Sequence, residues 1–179
     1  LNSATHPYQS NPLGWLVQYR PVGADAQFDL PTSKQCGQAA GERCIREILI
    51  LGNPIIWWTG ALALVAALVA WARTRSWRWG VPVVAVLVCW LPWFQFDDRP
   101  IFSFYAVTVI PFTIVALCLV IDSLVRSAVT PRQRYLAGFA TGLFLVAAVT
   151  AFWYFHPVYT DDLIPYEAWR DRMWLGRWI

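Results

Sequence analysis

Asp97-Asp98-Arg99-Pro100-Ile101-Phe102-Ser103-Phe104-Tyr105 breaks an otherwise apolar half of the chain. Gly80–Phe96 precedes the three charges and Phe104–Ile121 follows them, and neither run carries a charged side chain. Each run approaches the roughly 20 residues that cross about 30 Å of hydrocarbon. If both cross a bilayer, the cluster is held at its surface, with Arg99 at the mouth of whatever the helices enclose. Ionisable groups kept that close to a membrane interior are costly and mark functional positions.

Composition agrees with that setting. Hydrophobic residues make up 58% of the chain and charged residues 14%, against about 45–50% and about 25% in ordinary soluble domains. Mean hydropathy is +0.43 and tryptophan is abundant, at 12 residues. This describes a polytopic membrane protein. The one lysine, Lys34, excludes a basic nucleic-acid-binding tail. No basic stretch followed by a short apolar core opens the chain, so no signal peptide is read there. It starts at Leu1 rather than Met, which is read as a piece of a longer protein whose earlier spans lie elsewhere.

Four spans are expected, at about residues 53–72, 80–96, 104–124 and 135–155, within a membrane region covering 52–155. Pro54 falls in the first turn of the first span, where its missing N–H is tolerated. Pro92 predicts a kink near the end of the second. Gly138 and Gly142, four apart in the fourth, permit close approach of another helix or serve as ordinary small-residue packing. Residues 1–51 form a polar segment punctuated by Pro and Gly. Within it, Glu42–Leu51 carries Ile45, Ile48 and Leu49 at helical spacing and predicts a short amphipathic helix against the membrane. In the tail, 156–179, Tyr166, Trp169, Met173 and Trp174 predict an interfacial helix with an aromatic underside. The fold class is therefore all-α membrane, a four-transmembrane-helix bundle with an external loop and a C-terminal interfacial helix.

Residues 73–79 and 126–134 hold six Arg and no acid, so the positive-inside rule places both loops in the cytoplasm. Both ends of the chain, and the Asp97–Ser103 turn, are then external. Cys89 and Cys118 lie in spans and act as small apolar residues. Cys36 and Cys44 lie outside, where an oxidising compartment favours a disulfide between them over two free thiols. His6 and His156 each precede a proline at a membrane edge. No metal-ligand spacing, Gly-rich phosphate loop or nucleophile triad accompanies them.

Three phrases, in this order, resemble a known family. They are Thr5-His6-Pro7-Tyr8-Gln9-Ser10 with Trp15 and Arg20-Pro21-Val22; then Leu51-Gly52-Asn53-Pro54-Ile55-Ile56-Trp57-Trp58; then Arg99-Pro100-Ile101-Phe102-Ser103-Phe104-Tyr105 running on to Ile110-Pro111-Phe112. Together they look like the C-terminal four-helix region of protein O-mannosyltransferases, closest to the bacterial, actinobacterial-type branch. The closing aromatic runs, Phe152–Pro157 and Trp169–Trp178, are similar to the family's ending.

The resemblance implies part of a GT-C membrane glycosyltransferase. Such an enzyme takes mannose from polyprenyl-phosphate mannose and places it, with inversion, on Ser or Thr of exported proteins at the cell membrane, with no certain cofactor. The family's presumed base, an Asp-Glu pair on an early external loop, is not in this sequence, so no catalytic residue is assigned here and Asp97-Asp98 do not replace it. The partners implied are membrane lipids, the lipid-linked donor, acceptor proteins and the rest of the same enzyme. Where the eukaryotic third phrase continues Tyr-His-Tyr after the Phe, Phe104-Tyr105-Ala106 stands here, and no role of that His carries over.

Arg99 is the leading candidate for the donor phosphate, since a guanidinium binds phosphate bidentately and favours charge developing on a leaving group. Its competing role is to pair with Asp97 or Asp98 and cap the turn. Tyr105, Asn53 and His6 are weaker candidates for contact with phosphate or sugar. Trp57, Trp58 and Trp93 either stack on ligand or form the interfacial aromatic belt. A stand-alone four-span accessory or scaffold subunit is the alternative to the enzyme. A transporter is weaker still, since no charged residue lies in mid-span.

Overall fold

In a computed structural model of the chain, residues 5–30, 36, 43–96 and 98–179 are described. Lys34, Glu42 and Asp97 lie outside the described residues. Four helices are long and apolar enough to cross a membrane: α1 (Pro54–Thr74), α2 (Trp77–Trp90, continued by a 3-10 turn over Leu91–Gln95), α3 (Ile110–Ser127) and α4 (Pro131–Tyr159). Local chemistry sets their ends. Asn53 caps α1 by accepting from the N–H groups of Ile55 and Ile56, with Pro54 just inside. Pro92 cannot donate to the helix ladder, and at Leu91 α2 gives way to the 3-10 turn. A 3-10 segment over Ser103–Thr108 precedes α3, so the regular third helix begins later than residue 104. Thr130 and Gln133 form a capping box that starts α4 at Pro131, ahead of residue 135, and the helix runs through Pro157 to Tyr159. Arg132 and Arg134 are consequently helical.

Small residues bring the first three helices together. Ala63 and Ala67 of α1, Val83 of α2 and Ala116 of α3 are all buried in one cluster. A Cβ on Gly60 would sit 3.1 Å from Thr113 Oγ1 of α3. Lipid offers no hydrophobic drive between helices, so such close backbone approach is what holds them. A Cβ on Gly138 or Gly142 would meet nothing within 4 Å, so that pair makes no close helix contact among the described residues.

The outer segment departs from expectation. Residues 42–51 were expected to hold an amphipathic helix; instead Cys44–Ile50 is a strand, β2, paired antiparallel with β1 (Val22–Leu30). Val22 lies opposite Ile50 and Ala26 opposite Glu47. A two-residue strand, β3 (Ile164–Pro165), pairs with the other edge of β2, giving the order β1-β2-β3. The reason lies in Glu47. Ile45, Ile48 and Leu49 fit a helical period when Glu47 is counted as a solvent-facing charge. Burial instead alternates, with Ile45, Glu47 and Leu49 inward and Arg46, Ile48 and Ile50 outward. The sheet therefore adds a small β layer to a mostly helical membrane fold.

The tail also differs. Its helix, α5, is a short one over Tyr166–Arg170, and its aromatic underside is covered by protein. Trp169, Met173 and Trp178 pack with Ile45, Leu49 and Leu51 and with Phe155 and Val158 of α4. Arg172 fastens the turn after α5 to α4, donating from Nε to the Tyr154 carbonyl at 2.7 Å with its guanidinium over the Tyr154 ring. At the start of β2, Cys36 and Cys44 are disulfide-bonded, with Cα atoms 6.1 Å apart. Mass spectrometry of an unreduced digest is expected to find their two peptides joined; two separate thiol peptides would refute the bond.

Glu47 is 4% exposed and accepts the indole N–H of Trp169. Burial raises its pKa above the ordinary carboxylate range and the Trp169 bond partly offsets this. Tyr8 Oη lies on the same side, since a Cβ on Gly23 would meet both it and Glu47 Oε1. A carboxyl whose folded pKa is raised favours folding in its protonated form, so its contribution is full at acid pH and is lost as pH rises through the raised value. Glu47→Gln, which keeps an acceptor for Trp169, is expected to flatten the fall of Tm with pH above the ordinary carboxylate range. Parallel Tm profiles for wild type and variant would exclude this role.

Candidate functional site at the outer rim

The outer rim is built on one short turn. Asn11 caps a 3-10 turn over Pro12–Val17 by accepting from Leu13 N–H, and the turn ends at Gln18 in the left-handed region, with φ of 53°. Four indoles donate to its carbonyls. Trp90 of α2 reaches Pro12 at 2.8 Å, Trp57 of α1 reaches Trp15 at 2.9 Å, Trp58 reaches Val17 at 2.9 Å, and Trp178 of the tail reaches Gln18 at 2.7 Å. The Gln18 side chain accepts from Gly52 N–H and donates to Gly52 O, at the junction of β2 and α1. These bonds hold a non-glycine residue in a conformation that ordinarily costs about 1–2 kcal/mol. Trp57 and Trp58, read from sequence as belt or ligand-stacking residues, are clamps on this turn.

Around the turn lies a cavity of about 550 Å³, lined by Trp15, Gln18, Gly52, Trp57, Ser103, Phe104, Val107 and Tyr159 among others. Its walls are mainly apolar. Tyr159 Oη is buried and has no hydrogen-bond partner among the described residues, and Ser103 adds a second hydroxyl. A buried hydroxyl without a partner is costly. Tyr159, Ser103 and Gln18 escaped the sequence reading. Tyr159 falls in the expected tail beyond the fourth span, and nothing local to any of the three indicates that they meet.

The residues singled out by sequence separate into two groups. Arg99 is exposed, with its guanidinium 4.4 Å from the centre of the Phe96 ring. Among the described residues no ion pair joins it to Asp98. Tyr105 stacks on Trp93, with centroids 4.3 Å apart and planes at 12°, and Trp93 in turn meets Trp15 edge-on. His6 lies across the rim, edge-on to Phe102 at 5.1 Å, and Ser10 N–H donates to Ile101 O at 2.9 Å. The fold thus brings His6, Arg99 and Tyr105 to one rim, the turn that carries Arg99 also supplying Ser103 and Phe104 to the cavity. Asn53 belongs elsewhere: besides capping α1, its Nδ2 donates to Ala148 O of α4 at 2.8 Å. One N–H remains to it, and its role here is to tie α1 to α4. No group of three or more His, Cys, Asp or Glu that could hold a metal occurs among the described residues.

The fold and site define a multi-pass helical membrane protein whose cap holds a mainly apolar cavity lined in part by Ser103 and Phe104, with Arg99 exposed a few residues earlier in the chain. The chain belongs to the family described as the C-terminal four-transmembrane region of protein O-mannosyltransferase, whose model matches residues 1–178. Polyprenol-phosphate-mannose–protein mannosyltransferases are similar to it across 97% of its length: that of Mycolicibacterium smegmatis is 30% identical, that of Mycobacterium tuberculosis 30% and that of Corynebacterium glutamicum 31%. The chain spans about a third of the length of these curated relatives, 32–33%. A solved structure of the S. cerevisiae protein O-mannosyltransferase Pmt1–Pmt2 complex bound to the sugar donor shares the fold. There the TM-score is 0.71 at 21% identity, over 98% of this chain and 24% of that one.

Gly52 tests the construction of the rim. A Cβ there would overlap the Trp57 ring, so Gly52→Ala must displace the ring and its bond to Trp15. Overpacking of this kind costs about 1–3 kcal/mol, and the detergent-solubilised protein is expected to lose several degrees of Tm. Trp57→Phe, which removes the N–H donor to Trp15 O together with part of the ring and adds no overlap, should lower Tm as well. A wild-type Tm for Gly52→Ala would contradict the clamp.

Proposed function

We propose that this chain is the C-terminal membrane part of a protein mannosyltransferase that uses polyprenyl-phosphate mannose, and that its outer rim receives the lipid-linked donor. The observation that carries this is the mainly apolar 550 Å³ cavity, lined in part by Ser103 and Phe104, with Arg99 exposed a few residues before them in the chain. A lipid-linked sugar phosphate needs both features, a cation at headgroup depth and a largely apolar receptacle beside it. Arg99 would hold the phosphate through its fork of donors and favour the charge that gathers there as the glycosidic bond breaks. Tyr105, braced by Trp93, and His6, edge-on to Phe102, lie near the same turn and would be weaker contacts to the donor.

No residue here acts as base. That role falls to the remainder of the enzyme, where the family places an acidic pair on an external loop. Acceptor Ser or Thr side chains of exported proteins would meet the donor on the outer side of the cell membrane. The six Arg of residues 73–79 and 126–134 support a cytoplasmic position for the opposite end, with both ends of the chain external.

Arg99→Ala in the full-length enzyme should lower mannosyl transfer from polyprenyl-phosphate mannose by roughly 10²–10³-fold, while Arg99→Lys retains part of it. The assay follows transfer of labelled mannose to an acceptor peptide in membranes with matched enzyme levels. Turnover by Arg99→Ala near that of wild type would remove Arg99 from the donor site.

A further inference from the structure

At the end of the bundle away from the rim, a second cavity of about 340 Å³ opens between the start of α2 and the end of α3. It is lined by Ser76, Arg78 and Trp79 on one side and by Leu119, Asp122, Ser123, Arg126 and Ser127 on the other. Arg126 Nε pairs with Asp122 Oδ1 at 2.6 Å, and Arg78 Nη2 faces Asp122 Oδ2 at 3.8 Å. Two guanidinia thus share one carboxylate, which leaves the cavity one positive charge in excess. Each guanidinium has further N–H donors, and both side chains are more than half exposed. Three serine hydroxyls surround them. Ser127 Oγ donates to Leu124 O and can still accept, while Ser76 and Ser123 have no side-chain acceptor among the described residues.

The position of this cavity selects its ligand. Trp77, at the first turn of α2, is 73% exposed, as an interfacial indole at the headgroup level is. Leu119 and Trp79 add apolar surface to the lining, Trp79 also packing on the small-residue cluster of α1 to α3. An excess cation, hydroxyls and apolar side chains at headgroup depth match a phosphodiester carrying acyl chains better than a free anion. Basic side chains at headgroup depth are attracted to anionic lipid in the same way. We infer that the cavity between α2 and α3 binds one anionic phospholipid, its phosphodiester held by Arg78 and Arg126 and its headgroup hydroxyls facing Asp122 and the serines. The site is separate from the donor rim and does not depend on the function proposed for it.

Native mass spectrometry of the delipidated full-length protein, titrated with phosphatidylglycerol or phosphatidylcholine, tests this. The wild type should retain one phosphatidylglycerol in preference to phosphatidylcholine. The Arg78→Gln/Arg126→Gln double variant should lose that preference by roughly tenfold. Asp122→Asn, which removes the competing carboxylate and leaves both guanidinia, should hold phosphatidylglycerol at least as well as wild type; a carboxylate needed only to staple the helices around the cavity predicts weaker retention. Equal retention of the two lipids, a double variant that binds like wild type, or loss of binding in Asp122→Asn would each overturn the inference. Displacement of the lipid by millimolar inorganic phosphate would overturn it too, in favour of a site for the free anion. If the double variant does not fold, Asp122→Asn together with phosphate competition decides.

Discussion

Four indole N–H groups converging on the carbonyls of one 3-10 turn, Pro12–Gln18, are the constraint on which the outer half of this molecule rests. A short turn has carbonyls that no ladder satisfies, and where they are shielded from water they must find donors. Here the donors come from α1, α2 and the tail. Each indole brings a large apolar body as well as a single N–H, so the same residue fills the core and satisfies the turn. Gln18 completes the arrangement by bonding both polar groups of the Gly52 backbone. The spacing between helix ends and cap is therefore set by the length of an indole, and the cavity beside it is the space those rings leave open.

This arrangement also explains the unequal fates of the residues that sequence brought forward. Asn53 has a polar side chain near the rim, yet its bonds go to Ile55, Ile56 and Ala148. Arg99 has no such bonds among the described residues and lies over the Phe96 ring. Tyr105 is braced by stacking on Trp93.

Much of the membrane region was legible because its signals are local. Apolar length, Pro at first turns and Arg in short connections depend on neighbours in sequence, and the four helices lie close to where those signals put them. The misreadings have a common cause. Cys44–Ile50 looked helical because a charged Glu47 is ordinarily taken as facing water; only Trp169, far along the chain, makes its burial tolerable. The tail's aromatic face looked like a membrane anchor because its partner, Ile45 and Leu49, lies on the far side of four spans. Gly138 and Gly142 allowed a close helix contact or ordinary small-residue packing, and nothing lies within 4 Å of a Cβ built at either; the close contact is made by Gly60, Ala63 and Ala116, whose pattern is indistinguishable from ordinary apolar sequence. Tyr159 and Ser103 carried no signal because a cavity is a property of packing, and each wall comes from a different element.

The bond from Trp178 to Gln18 links residues 160 apart in sequence, with all four helices between them. Neither that bond nor the burial of Trp169 on β2 can form while the chain is still being threaded into the membrane. The carbonyls of the Pro12–Val17 turn and the inward face of β2 therefore stay uncovered until α4 and the residues after it are in place. Loss of Trp169 and Trp178 would leave the cap unfinished even with α1 to α4 inserted.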